Sequence, residues 1–359
     1  SGNRGPGNFA LSPGGEWIAF HDTSDGTKLR KVRLSGGQAV TICDIDSASY
    51  LFRGMTWGST GTIVYTDLST FRAGLMQVPE SGGEPTQLTH IDVEVGERHA
   101  GDLRGLLVGE MGDLLPPRPG DRHRYAAGTA LVVAGSRRYG GAALLAGLGA
   151  LRSGAGLVSL ALPAEHAPAA LGFVPEVLLH PLPVGDAGGL CPLEADVFDA
   201  LLAKQGAWAV GPGLGDDPAT DAWAADALAA TDLPVVVDAD ALSAFARLDR
   251  DPSFASDSVI LTPHVGELAR LCGTDPVDAA ARRLDLAGDL ARRTGAVVVA
   301  KGAPTAIASP DGFTALNATG HDALAHGGTG DVLTGLLAGL LAQGLDPVDA
   351  ALLGCWLHG

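Results

Sequence analysis

Cysteine is scarce and scattered: Cys43, Cys191, Cys272 and Cys355 are the 4 among 359 residues, and no two stand in a C-x-x-C spacing. That argues against a zinc site and against a disulfide framework, leaving buried thiols. Positive charge is short too, with 24 Lys and Arg against 41 Asp and Glu and a net charge of −17. The average surface therefore repels phosphate backbones and anionic lipid heads, and nucleic acid is not an expected partner. No uncharged apolar run reaches the roughly 18 residues a membrane helix needs. The opening Ser1-Gly2-Asn3-Arg4-Gly5-Pro6 lacks the apolar stretch of a signal peptide, so the expected location is the cytoplasm, with no membrane partner. Charged residues of all kinds make up only 18% of the chain, while 51 Gly and 22 Pro lack a collagen period. With 46% apolar residues, the chain is globular and turn-rich, and its length predicts about two folding units at roughly 150 residues each.

The first hundred residues repeat. Ser12-Pro-Gly-Gly-Glu-Trp-Ile-Ala-Phe20 returns as Gly58-Ser-Thr-Gly-Thr-Ile-Val-Tyr65, with Ile18 and Ile63 45 residues apart, and the Gly-Gly pairs at 36 and 82 are 46 apart. Short β-rich runs with Gly turns at that period are the pattern of a four-stranded propeller blade. Residues 1 to about 95 resemble the WD40-like repeats of the propeller families related to TolB. About two blades are covered, too few to close a ring. Trp17, Tyr50, Trp57 and Tyr65 lie in or beside the strand-like runs and are read as core. A polar, Pro-rich stretch with Pro116-Pro117-Arg118-Pro119-Gly120 follows, and residues 96–128 are read as a linker and lead-in.

Beyond it, Ala130–Ala134, Leu157–Ala161, Ala207–Val210, Pro234–Val237, Val259–Leu261 and Ala296–Ala300 are continuous apolar runs. They alternate with helical stretches at 139–152, 218–230 and 276–293. Strands apolar on both faces, alternating with helices, predict an α/β domain over 129–359: a mostly parallel sheet flanked by helices on both faces.

In such sheets ligands gather at the carboxyl ends of the strands. Gly135-Ser136, Gly211-Pro-Gly-Leu-Gly215, Asp238-Ala-Asp240, Thr262-Pro-His264 with Glu267, and Lys301-Gly302 all stand there. Gly327-Gly-Thr-Gly-Asp331 precedes an apolar helix, so its backbone can approach a phosphate while the first helical amides lack partners. Asp331 then has two readings, an N-cap or a general base beside a bound phosphoryl group. No G-x-x-x-x-G-K-[ST] occurs, which excludes a P-loop enzyme. Gly211–Gly215 departs from the dinucleotide fingerprint at Asp216, and a turn without a ligand would explain it as well.

Those motifs, together with Tyr139-Gly-Gly-Ala142, Leu151-Arg-Ser-Gly-Ala-Gly-Leu157, Leu261-Thr-Pro-His-Val-Gly-Glu267 and Lys301-Gly-Ala-Pro-Thr305, carry a resemblance. From about Leu114 to Gly359 the chain resembles the ribokinase-like superfamily and, more closely, its ADP-dependent NAD(P)H-hydrate dehydratases. The resemblance implies a ribokinase-like sheet and the repair of NADH or NADPH damaged by addition of water, with ADP or ATP as co-substrate and Mg²⁺ alongside. Carried over, Asp331 is the base and touches substrate, while the amides of Gly328, Thr329 and Gly330 form the anion hole. Lys301, Gly302, Ala303, Pro304, Thr305 and Gly330 face the nucleotide. Ala142, Gly213 or Gly215, and His264 hold the hydrated dinucleotide, and a homotetramer is implied. From position alone His264 is as well read as a cap or packing residue, and Lys301 as a surface lysine.

The chain departs from the family pattern at Val265, at His321 and Ala323 in the loop before the anion hole, and at His326, where binding is expected to suffer before chemistry. The helix from about Pro347 stops at Cys355-Trp-Leu-His-Gly359, where related dehydratases continue; exposed apolar surface and lower stability are the expectation. No carboxylate cluster assigns metal ligands. Two alternatives stay open: a kinase of a pyrimidine- or thiazole-type vitamin alcohol, and a non-catalytic fused chain with a propeller-type binding scaffold.

Overall fold

The structure is a computed structural model. It describes residues 9–22, 28–45, 55–58, 60–67, 74–87, 106–107, 111, 114–116, 124–317, 319–320 and 324–359. The chain divides into two units, residues 1–99 and 100–359.

In the first unit, β1 (Phe9–Leu11), β2 (Trp17–Asp22), β3 (Lys28–Arg33) and β4 (Val40–Asp44) form one antiparallel sheet in sequence order. A second such sheet is built by β5 (Met55–Trp57), β6 (Thr62–Asp67), β7 (Gly74–Pro79) and β8 (Thr86–Gln87). Each sequence repeat thus makes one four-stranded sheet. The Gly-Gly pairs take matching left-handed turns, with φ 91° and 128° at Gly36 and Gly37 and 93° and 139° at Gly82 and Gly83. Such angles are open to glycine at little steric cost. Trp57 and Tyr65 are buried with Ala19, Leu29, Ile63 and Val78, as the core reading expects. Trp17 is only partly buried and lies under Lys31 and Arg33, at 5.1 and 4.9 Å from the ring centre. Tyr50 lies outside the described residues, as does most of the expected linker.

The second unit holds a ten-stranded sheet. Its strands are β9 (Leu106–Leu107), β10 (Thr129–Val133), β11 (Leu157–Pro163), β12 (Leu178–Leu182), β13 (Ala207–Val210), β14 (Val235–Val237), β15 (Val259–Leu261), β16 (Val297–Ala300), β17 (Thr305–Ala308) and β18 (Thr314–Asn317). They lie in the order β12-β11-β10-β13-β14-β15-β16-β17-β18-β9, parallel from β12 to β16 and antiparallel across the β16-β17-β18 meander, with β9 parallel to β18. Alternate residues feed two cores. Leu131, Val133, Val235, Val237, Val298 and Ala300 face one; Ala130, Val132, Val236, Val297 and Val299 face the other. Burial on both faces is why these strands read as unbroken apolar runs.

The helices are α1 (Gly140–Arg152), α2 (Ala167–Phe173), α3 (Ala195–Leu202), α4 (Pro218–Ala230), α5 (Ala239–Arg247), α6 (Val265–Cys272), α7 (Pro276–Ala281), α8 (Arg283–Thr294), α9 (Thr329–Ala342) and α10 (Pro347–His358). The helix expected over 276–293 is two: Arg282, at φ −109° and ψ 28°, breaks it between α7 and α8. α1 and α9 pack through small residues. A side chain at Gly335 would collide with the Ala146 carbonyl, and one at Gly149 with that of Val332. Those glycines bring the backbones together and fix where the first turn of α9 stands. The cysteines correct the sequence reading in part: all four are free, but Cys191 and Cys272 are only half-buried.

Candidate functional site

The order of the sheet creates a crevice. From β10 the chain winds outward through β11 and β12, whereas β13 to β16 extend the other way, so β10 and β13 flank a topological switch point. The loops leaving those strands meet there, and Gly135 N–H donates to the Pro212 carbonyl at 2.8 Å. At Gly213, φ is +64° and an added Cβ would stand 2.8 Å from the Cβ atoms of both Ala142 and Tyr139. Gly215 faces Ser136 and donates its N–H to Asp240 Oδ2 at 2.8 Å. Ala142, at the start of α1, is thus brought against the distant loop that carries Gly213 and Gly215. Burial raises the Asp240 carboxyl above its ordinary range against the pull of the Gly215 N–H and Arg247. Arg247 in turn grips the buried Asp221 with two hydrogen bonds of 2.6 Å.

Next along the same edge lies a charged centre. Asp238 follows β14 and is 1% exposed; Lys301 follows β16, and its Nζ is 2.6 Å from Asp238 Oδ1. Thr334 on α9 donates to the other oxygen, Oδ2, at 2.7 Å. Ala239, between Asp238 and Asp240, has φ +48°, a backbone conformation that costs a non-glycine residue free energy and recurs at functional sites. The start of α9 lies over this pair, since a Cβ on Gly330 would be 3.4 Å from Lys301 Nζ. Gly328, at φ +98°, is the N-cap and no side chain caps the helix, so Asp331 is its third residue rather than its cap. The first amides of α9 have no intrahelical partner. Thr329 contributes to the loop through its hydroxyl as well, donating to the Leu324 and His326 carbonyls at 3.0 and 3.1 Å.

The electrostatics follow from that crowding. Burial, reinforced by Asp238 and eased by Lys301, pushes the Asp331 carboxyl up to about 6. Burial likewise pushes Glu267 to about 7. For Lys301 burial opposes the charge, but Asp238, Glu267 and Asp331 outweigh it and hold the ammonium above its ordinary value. A carboxylate poised near neutrality beside a fixed cation suits proton transfer.

His264 takes the capping role that its position left open. It is the N-cap of α6: Nδ1 accepts from the Gly266 and Glu267 amides at 2.9 and 3.3 Å, and Glu267 Oε2 accepts from the His264 amide at 2.8 Å. Only Nε2 is left for a ligand, and it lies 3.2 Å from Glu267 Oε1. Burial, with Lys301 and Arg270 nearby, lowers the His264 pKa.

A cavity of about 250 Å³ opens beside this centre, with Lys301, Gly302, Ala303, Thr305, Gly330 and His358 in its wall. Pro304 is not in that wall; its carbonyl accepts from Arg283 at 2.6 Å. The volume falls below the roughly 300 Å³ at which drug-sized pockets begin, so the cavity has room for only part of such a ligand. A larger cavity, about 760 Å³, lies between α3 and α4 around Phe198 and Trp223 and shares none of these residues. His326 is exposed, its Nδ1 3.0 Å from the Gly327 carbonyl, while His321 and Ala323 lie outside the described residues. Asp238 and Glu267 stand within the sequence motifs, and only the fold gives them a role. Their signal was a carboxylate just after an apolar strand or at a helix start. Thr334 had no signal, because only the fold brings α9 to Asp238.

Comparison with known proteins supplies the context. A family model described as NAD(P)H-hydrate dehydratase matches residues 130–359. The chain is 42% identical over 245 residues to the bifunctional NAD(P)H-hydrate repair enzyme Nnr of Moorella thermoacetica, covering 68% of this chain but 46% of that protein. It thus spans about half the length of the bifunctional relatives it matches. It is 39% identical over 247 residues to the ADP-dependent (S)-NAD(P)H-hydrate dehydratase of Bacillus subtilis, covering 68% of this chain and 83% of that one. The solved ADP/ATP-dependent NAD(P)H-hydrate dehydratase of B. subtilis, co-crystallised with ATP and Mg²⁺, superposes with a TM-score of 0.59 at 36% identity, covering 70% of this chain and 86% of that one.

Proposed function

This chain belongs to the NAD(P)H-hydrate dehydratase family, and from that premise we propose that it restores hydrated NADH and NADPH with an adenine nucleotide, ADP by preference. The observation that carries the reading is Asp331. Its carboxyl sits near neutrality in the first turn of α9, beside unpaired amides and Lys301.

Hydroxide is a poor leaving group, so the ring hydroxyl must be activated before it can depart. Asp331 takes the hydroxyl proton as that oxygen attacks the terminal phosphorus of ADP, and the bond from phosphorus to the departing AMP oxygen breaks. The amides of Gly328, Thr329 and Gly330 hold the transferred phosphoryl group, and Lys301 offsets its charge. Phosphate then leaves with the C–O electron pair, a neighbouring ring C–H gives up its proton to the departing phosphate, and the double bond returns. The products are the intact dinucleotide, AMP and phosphate. The crevice of Ala142, Gly213 and Gly215, with His264 beyond it, is the seat proposed for the dinucleotide, in the (S) form for which the B. subtilis relative is named. The wall of Lys301, Gly302, Ala303 and Thr305 is that proposed for the nucleotide, with Pro304 shaping the loop behind it.

Among the described residues no group of three or more His, Cys, Asp or Glu is placed to hold a metal ion, and Asp238 is already neutralised by Lys301. Mg²⁺ therefore belongs, in this reading, to the nucleotide phosphates it accompanies, and no step above runs through it. Action in the cytoplasm as a homotetramer completes the proposal; light scattering tests the assembly. No helix of the described residues is long and apolar enough to cross a membrane. The test of function is purified protein with hydrated NADH, Mg²⁺ and ADP or ATP. Recovery of reduced-nicotinamide absorbance is expected, and phosphorylation of a pyrimidine or thiazole alcohol in its place would overturn it.

A further inference from the structure

We propose that His358 is a positioning residue for the nucleotide: it holds the first turn of α9 by the Thr329 carbonyl and takes up a proton when an anionic nucleotide fills the adjoining cavity. The inference rests on the nucleotide reading given above.

His358 lies on α10, and its Nε2 is 2.9 Å from the Thr329 carbonyl oxygen. A carbonyl only accepts, so Nε2 carries the hydrogen and donates it. One turn earlier, the buried Asn317 donates Nδ2 to the Cys355 carbonyl at 2.8 Å. This part of α10 is thus fastened to β18 at one point and to α9 at the other. The fastening matters because α9 begins at a glycine with no side-chain cap. Thr329 is held on its hydroxyl side by the loop before it and on its carbonyl side by His358. The amides proposed to hold the phosphoryl group belong to this same turn.

His358 and Lys301 share the wall of the 250 Å³ cavity. With Nε2 committed as donor, the ring has one site left for a second proton, Nδ1. Burial and the Lys301 charge disfavour that proton, against the Thr329 carbonyl, which favours it. Of the polar groups that bond to the ring or share the cavity wall with it, Lys301 comes from the end of β16, the Thr329 carbonyl from α9, and neutral Asn317 from β18. Asp238, Glu267 and Asp331 lie around Lys301 rather than in that wall. A nucleotide phosphate would cancel the repulsion from Lys301, so binding raises the affinity of Nδ1 for a proton. By linkage, each unit of that rise tightens nucleotide binding about tenfold between the alkaline and the acid side of the titration.

The test is calorimetric titration of the full chain with ADP and Mg²⁺ at pH 5.5 and 8, in buffers of different ionisation enthalpy. Wild type is compared with His358→Gln, whose amide can still donate to Thr329 but cannot take a second proton, and with His358→Leu, which loses both. ADP itself, Asp331 and Glu267 also titrate, but they do so in all three proteins, so the difference isolates His358. The expected result is proton uptake greater in wild type than in His358→Gln, with a gain in affinity from pH 8 to pH 5.5 that exceeds that of His358→Gln. His358→Gln should match wild type within a few-fold at pH 8, and His358→Leu should bind more weakly at both. Equal proton uptake in wild type and His358→Gln overturns the inference even if His358→Leu fails to fold. Absence of ADP binding by wild type is a separate result, which overturns the nucleotide reading itself and this inference with it.

Discussion

Replacing Asp331 with Asn should make the protein more stable and nearly inactive at once. The ordinary aspartate carboxyl titrates at 3.8, and here burial and Asp238 push it up to about 6. The folded chain therefore binds that proton more tightly than the unfolded chain. Below about 3.8 both states hold it and there is no effect. Between 3.8 and 6 the unfolded chain releases it while the folded chain keeps it, so stability falls as pH rises. Above about 6 the whole cost is felt: 6 − 3.8 = 2.2 units, which at 1.36 kcal/mol each is about 3 kcal/mol as an upper bound. Asn has the same shape and no charge to desolvate, so Asp331→Asn should gain up to about 3 kcal/mol at pH 8 and nothing at pH 3.5. Urea unfolding of both proteins across that range, following the large unit, measures the difference. Turnover of hydrated NADH should fall by about 10²- to 10⁴-fold, the usual worth of a positioned base. A variant no more stable than wild type at pH 8, or equally stabilised at pH 8 and 3.5, would refute the claim that Asp331 is held in a desolvating, negative surrounding. Retained turnover would refute its role as base.

Other perturbations probe the same framework. Asp238→Asn leaves the Lys301 ammonium beside Asp238 without its partner and should destabilise the large unit by about 3–5 kcal/mol in urea, far more than an exposed ion pair is worth. Glu267→Gln should flatten the stability profile between pH 4.5 and 7, the window over which its raised carboxyl makes wild type lose stability with rising pH. Gly335→Ala forces α9 away from the Ala146 carbonyl; thermal melts should show a cost of about 1–3 kcal/mol, and turnover should drop because the first turn of α9 shifts with the helix.

Much of the large unit could be read from the chain because its strands are buried on both faces and so stand out as apolar runs. β12 could not: it ends the parallel row and carries His180 and Pro181 among its five residues. β17 and β18 are short and stand beside the Lys301–Thr305 motif and the Ser309-Pro-Asp-Gly312 turn, so neither makes a long apolar run. The glycines and carboxylates that follow the parallel strands stand together at one edge of the sheet, as their place after the apolar runs implies. What no pattern could give was pairing. Asp238 and Lys301 are 63 residues apart and meet only because β14, β15 and β16 are neighbours. Nor could spacing decide the state of His264, since a cap and a ligand use the same residue at the same helix start.

The most direct measurement of the account is stoichiometry: hydrated NADH, ADP and Mg²⁺ with the purified chain, following reduced nicotinamide by absorbance and AMP by chromatography in the same tube. Phosphoryl activation by ADP predicts one AMP for each NADH restored, with both products slowed together, by about 10²- to 10⁴-fold, in the Asp331→Asn protein. NADH regained without AMP, or AMP formed without NADH, would contradict it.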